Sequence, residues 1–239
     1  KLQQRYDRRY SMTSSAVNLI PAKNLHPPRT RYRKGVKPPS LQMLKRGKQN
    51  AKLGDIVSVK KWKNHVMYSL TLEERKTCPS DCDQWDNCYG NNMPFAHRFD
   101  HTGPLFLENL GTQLARLVHK HRKKQQGVVV RLHVLGDFFS DEYVEFWHIM
   151  LDLLPDLKIF GYTHHKSKRG LGKYINTSLN NSYPDRAAIR FSDDMDTPFR
   201  ATVNTGGGIV CPEQTGATAS CTTCGYCWSS SDPVVFLEH

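Results

Sequence analysis

Acidic residues are almost missing from the first fifty positions, where Asp7 alone stands against thirteen lysines and arginines. Beyond Asn50 bases and acids cancel, so the formal net charge of +12 belongs to a leader and not to the body. Long apolar runs are missing as well. Nothing approaches the roughly 18 uninterrupted apolar residues of a spanning helix, which excludes that class of membrane protein. The start lacks the apolar core and cleavage pattern of a secretory signal, so the expected location is cytoplasmic. Cysteine is absent from the stretch of more than a hundred residues between Cys88 and Cys211, although the chain has seven.

What is present suffices for one core. A chain of 239 residues with 38% apolar content predicts a single globular domain over 51–239, preceded by a basic arm over 1–50. The arm is rich in Pro, Ser, Asn and Gln and shows no hydrophobic period, a composition that buries too little apolar surface to offset the entropy of ordering. It is expected to be extended or disordered. Basic residues interleaved with Tyr6, Tyr10 and Tyr32 suit a DNA or RNA backbone, where each neutralised phosphate releases a counterion. A solvated tail, or an arm that docks on a protein partner, fits the same composition.

The body alternates strand and helix signals. Ile56–Val59 and His65–Leu72 read as strands, and Leu105–Lys120 as a helix with apolar residues at Leu107, Leu110, Leu114, Leu117 and Val118. Val128–Leu135 is the apolar run of a strand covered on both faces, ending at Gly136-Asp137. Ser140 caps the next helix, with Asp141 and Glu142 in its positive first turn and Pro155 beyond its end. A strand Lys158–Thr163, a polar helix Leu171–Leu179, and strands Ala187–Ser192 and Ala201–Asn204 follow. The pattern predicts an α/β fold, a mainly parallel sheet or a partial or small (β/α) barrel. Ligands in such sheets gather at the carboxyl ends of the strands.

The cysteines fall into two groups. Cys78, Cys82 and Cys88 are spaced C-x3-C-x5-C, and Cys211, Cys221, Cys224 and Cys227 are spaced C-x9-C-x2-C-x2-C within a cysteine-rich loop over 206–230. An odd count without a secretion signal argues against disulfides, and clustering argues against core packing, so the thiols are expected to hold metal. Two C-x2-C steps fit a tetrahedral zinc or the corners of an iron–sulfur cluster. Three cysteines on one loop can ligate three irons of a four-iron cluster and leave the fourth open. The zinc alternative there would recruit His97, His101, Asp81, Asp83 or Asp86. Two four-iron clusters are the favoured content, with zinc the alternative.

The loop ending Cys88-Tyr89-Gly90, the later Val-Leu-Gly136-Asp137-Phe138, and Cys211-Pro-Glu-Gln-Thr-Gly216 with Cys221, Cys224, Cys227 and Trp228 resemble the phage gene-product-88 family. That resemblance would place the protein in a bacterial host's cytoplasm. More distantly, a three-cysteine loop after a first strand, followed by helix, strand and a Gly-acid end, is similar to the radical S-adenosylmethionine superfamily, although the second cysteine gap is longer than is usual there. This likeness implies that Cys78, Cys82 and Cys88 hold a cluster whose open iron binds S-adenosylmethionine, with Gly136 and Asp137 contacting that cofactor. The expected function is radical chemistry on a nucleic acid. The alternative is a non-enzymatic protein whose metals brace loops that bind nucleic acid or protein.

His164-His165 and Ser192-Asp193-Asp194 follow strands and are candidate rim groups. His133 reads as a satisfied core histidine, Gly206-Gly207-Gly208 as a turn before Cys211, and Trp85 and Tyr89 as shields over the first metal loop.

Overall fold

The computed structural model describes residues 35–238 apart from Lys60, Asp83, Asn87, Thr205 and Gly206. Residues 1–34, with the three leader tyrosines, therefore lie outside the described residues, as do the candidate ligand Asp83 and the first glycine of the predicted turn.

The described residues form ten strands: β1 Val36–Lys37, β2 Lys45–Arg46, β3 His65–Ser69, β4 Arg98–Phe99, β5 Gly127–Arg131, β6 Leu157–Thr163, β7 Ala187–Ser192, β8 Arg200–Val203, β9 Ile209–Val210 and β10 Val234–Phe236. Eight of them make one sheet in the order β2-β3-β5-β6-β7-β8-β10-β9, in which only the β2–β3 pair is antiparallel. The order runs between two edge strands, so the sheet is open and not a closed barrel. The remaining two strands, β1 and β4, pair with each other.

One face of the sheet is covered by helices. Among them α2 (Phe106–Arg122), which follows the short α1 (Glu74–Thr77), presents Leu110, Leu114 and Val118. Helix α3 (Asp141–Leu153) presents Val144, Trp147, Met150 and Leu151, and starts where Ser140 Oγ accepts the Tyr143 N–H at 3.2 Å. Next, α4 (Gly170–Ile175) widens into a π-helical turn over Asn176–Asn181, which brings the Asn180 amide against both backbone groups of Ile189 in β7. These side chains meet Val66, Val128, Val130, Ile159 and Ile189 in the larger core.

Among the described residues the opposite face has no long helix. Leu53, Val57 and Trp62 from before β3, and Trp228 from near the C-terminus, pack there on Met67, Val129, Phe160 and Ala188. Trp62 and Trp228 stack 5.3 Å apart at 6°. Two one-turn helices, α5 (Cys221–Cys224) and α6 (Tyr226–Ser229), complete this cover.

Three expectations change. Ile56–Val59 makes a single antiparallel bridge, Ile56 to Val66, because Trp62 and Asn64 take positive φ and fold the chain back sharply. The strand expected to reach Leu135 ends at Arg131, since His133 adopts φ +55 and leaves the extended path. The arm predicted over 1–50 overlaps the fold: Val36–Lys37 and Lys45–Arg46 are strands, and Met43 and Leu44 are buried, so their apolar burial outweighs the basic composition around them.

Candidate metal centre

The loops after β3, β5, β6 and β7 emerge at one rim because these strands run parallel, and they are laced together there. Asp137 N–H donates to Thr77 Oγ1 at 3.1 Å, while the Asp137 carboxylate accepts the N–H groups of Phe138 at 2.7 Å and His164 at 2.8 Å. Asp194 accepts the Ser167 N–H at 2.6 Å. His164 Nε2 lies 3.2 Å from the Asp81 carbonyl and His165 Nε2 2.8 Å from that of Phe138. His164, His165 and Asp194 therefore each hold one loop to another at this rim. Burial pushes the Asp137 carboxyl up, against the pull of His165 and of hydrogen bonds from His164, Thr163 and Phe138.

The first cysteine loop starts at this seam. Gly136, at φ +91, lies so close to the loop that a Cβ would stand 2.6 Å from Thr77 Oγ1 and 2.8 Å from Leu72 Cβ. Cys78 follows at once and is half-buried, as are Cys82 and Cys88. Burial first, then the charges of Asp137, Cys82, Cys88 and Glu74, push the Cys78 thiol well up. Cys82 and Cys88 thus both act on Cys78.

Buried charge shapes the loop. Arg98 in β4 is fully buried and donates to both carboxylate oxygens of Glu74, at 2.7 and 2.8 Å, and to the carbonyls of Gly90, Met93 and Ala96. Arg75 donates to the Trp85 carbonyl and to Asn91 Oδ1, with its guanidinium 4.7 Å from the Trp85 ring centre. Tyr89 keeps 39% of its surface in solvent, yet its hydroxyl is buried and pushed up to about 12 by that burial, against the lowering influence of Arg131. Asp81 and Asp86 are exposed. His97 Nδ1 stands 3.3 Å from Lys37 Nζ, and the His101 ring packs on Phe139 at 4.5 Å. His133 is buried beside Tyr143 Oη at 3.0 Å, and burial, with help from Arg131 and His165, drives it down to about 3. Its Nδ1 has no hydrogen-bond partner among the described residues, so it is only half satisfied.

The second group lies on the opposite face, on and around α5 and α6. Ser220 and Thr223 form a capping box that starts α5, and Gly225, left-handed at φ +67, ends it with no room for a Cβ against Val59. The N–H groups of Cys221 and Thr222 bond to the carbonyls of Lys52 and Leu53. Burial, then Cys227, pushes Cys221 up to about 12, with Cys211 adding to the rise and Arg131 and Lys52 opposing it. The Tyr162 hydroxyl donates to Cys227 Sγ at 2.9 Å. Beneath them the fully buried Arg190 donates to the carbonyls of Cys227, Arg200, Ser230 and Asp232. Cys224 follows Cys221 by one helical turn, a spacing that keeps both on one side. Gly207 and Gly208, ahead of Cys211, both have positive φ, as a turn requires.

Arg131, the last residue of β5, stands between the groups. Its guanidinium lies 4.4 Å from the Tyr162 ring centre, and its charge reaches Tyr89 on one side and Cys221 and Cys227 on the other.

Among the described residues no three Cys, His, Asp or Glu side chains close around a single ion. The donor chemistry nonetheless fits a metal group. Thiols forced together and desolvated raise one another, and a cationic centre that neutralises the thiolates relieves this strain. Ligands of a cluster also bind separate irons, whereas those of one zinc all lie about 2.3 Å from a common point.

Sequence reasoning missed the buried arginines Arg98 and Arg190. For Arg190 the signal was a charged residue within an otherwise apolar strand, Ala-Ala-Ile-Arg190-Phe, whereas Arg98 between His97 and Phe99 carried none. A family model for gene product 88 matches residues 42–230, from beside Met43 through all seven cysteines. No curated protein and no solved structure matches the chain. The comparisons thus lend no support to the radical S-adenosylmethionine likeness, while the match over most of the sequence shows that the chain belongs to the gene product 88 family.

Proposed function

We propose that this is an iron–sulfur protein performing radical S-adenosylmethionine-like chemistry at its first cysteine set, on a nucleic acid engaged by the basic leader. One observation carries this reading: on the loop after the first parallel strand, at the carboxyl rim of the sheet, the Cys78 thiol is pushed up by burial and then by Asp137, Cys82 and Cys88. A four-iron cluster there would supply one electron to a bound sulfonium. The chain's own groups prepare the place. Arg98 and Glu74 hold the loop, and Trp85 and Tyr89 flank it. Asp137 is a positioning residue in this reading, because its carboxylate is committed to two backbone N–H groups. Contact with a cofactor then falls to the peptide groups around Gly136.

A second reading, a non-enzymatic protein whose metals brace a nucleic-acid- or protein-binding rim, is favoured by the way Asp137, Asp194, His164 and His165 each hold a loop in place. Metal and sulfide content of protein purified without oxygen separates the two. About eight irons with matching sulfide per chain, and 5′-deoxyadenosine released from S-adenosylmethionine under dithionite, are the expected results. Zinc without sulfide would sink the radical reading and leave the binding protein.

A further inference from the structure

The end of the sheet away from the cysteine rim carries a charge of its own. Strands β3, β5, β6 and β7 run parallel and are five to seven residues long, which sets this amino rim roughly 17–23 Å from the carboxyl rim. Ahead of β3 stand Lys61 and Lys63. The end of α2 and the turn before β5 supply Lys120, Arg122, Lys123 and Lys124, while Lys158 lies at the start of β6 and Arg186 just before β7. The turns are fastened together: Asn64 Nδ2 donates to the Gln125 carbonyl at 2.8 Å, Val128 N–H to that of Asp156 at 2.9 Å, and Ile159 N–H to that of Arg186 at 2.8 Å. A recess of about 270 Å³ opens among them, bordered by Lys63, His65, Arg122, Gln125, Gln126 and Asp156.

Asp156 is paired with Arg122 at 2.6 Å, so these two charges cancel. The other seven bases named here are accompanied by two further acids, Asp152 at the end of α3 and Asp185. Burial first, then Arg186, pushes the Lys158 ammonium down, with Lys61 adding to this and Asp185 and Asp156 opposing it. Residues 51–239 hold as many acids as bases, so the excess at this rim is a segregation of charge within a neutral body. Like charges gathered in this way repel one another, and a polyanion relieves the repulsion. We propose that the amino rim is a docking surface for the sugar–phosphate backbone of a nucleic acid, built on the folded domain and separate from the leader. The proposed function is drawn on only for the presence of a nucleic acid, and the metal content of the cysteines does not enter. None of the exposed large apolar side chains among the described residues belongs to these turns. The rim therefore lacks the apolar anchor that centres a protein interface and the apolar face that enters a bilayer. Lysines and amides without such anchors suit phosphate contacts, which position a nucleic acid without reading its bases.

Fluorescence anisotropy of a short labelled DNA duplex and of an RNA single strand, titrated with the full chain over a series of salt concentrations, tests this. Lys123→Gln with Lys124→Gln is expected to lower the slope of log affinity against log salt by about two on the duplex. Thermal unfolding stays in place, because both side chains are exposed. Lys63→Gln, at the recess, removes about one on its own. As a control, Lys168→Gln with Lys173→Gln takes the same charge from the segment after β6 and from α4, and leaves the slope unchanged. Equal losses from the two pairs would reduce the effect to net charge and overturn the inference. An unmoved slope in the rim variants would also overturn it and leave the leader as the nucleic-acid contact. Failure of the unaltered chain to bind either oligonucleotide would overturn the inference together with the nucleic-acid part of the proposed function. Binding to phosphatidylserine vesicles that depends on Lys123 and Lys124, in place of oligonucleotide binding, would assign the rim to a membrane surface instead.

Discussion

Glu74 and Arg98 show what one buried pair does for the first cysteine loop. The guanidinium reaches five acceptors, of which two are on Glu74 and three are carbonyls spread over Gly90 to Ala96. Removing one partner strands the other charge out of water. Glu74→Gln is therefore expected to lower the unfolding free energy by about 3 kcal/mol, read from the shift of a urea midpoint at constant slope. Glu74→Leu with Arg98→Met should lose less than Arg98→Met alone, because no charge is then left unpaired. Equal losses would mean that the ion pair does not organise the loop.

The elements were the most legible part of the sequence, and their connections the least. Ala187–Ser192 forms where expected, and α2 and α3 fall within a few residues of their predicted bounds, because alternation, helical period and the Ser140 cap are local signals. The spacing of Cys78, Cys82 and Cys88 on one loop was legible as well. The roles of Asp137 and Asp194 were not, since a carboxylate after a strand reads alike whether it meets a ligand or the next loop's N–H. Met43 and Leu44 were hidden among lysines and prolines. Gly136 joins the two levels: its positive φ and its closeness to Thr77 make it the contact between the β5 end and the first cysteine loop. Gly136→Ala should cost about 1–3 kcal/mol from the backbone conformation and more from the clash. Metal analysis of that variant should show loss at Cys78, Cys82 and Cys88 with the second set still loaded. Retention at both sets would show that the loop tolerates displacement.

At the scale of the whole molecule, the domain begins well before Asn50. Deleting residues 1–34 removes nine lysines and arginines with Asp7 but spares Met43 and Leu44. This truncation is expected to leave thermal unfolding unchanged and to remove the leader's share of the salt-dependent nucleic-acid affinity. Unchanged, salt-insensitive binding would remove the leader from the proposed function. The face covered by Trp62 and Trp228 has a different consequence. Its cover is made of segments far apart in sequence, with Cys221 and Thr222 bonded to Lys52 and Leu53. At about 5–20 residues per second on a ribosome, Lys52 and Leu53 precede Cys221 by about 10–30 seconds. In the later part of that interval, once Phe160 has been made, the nascent chain exposes Trp62, Val129 and Phe160 with no Trp228 to cover them. The second cysteine set can therefore assemble only after its own stretch has been synthesised, and a ribosome that stalls short of it leaves an aggregation-prone apolar sheet face.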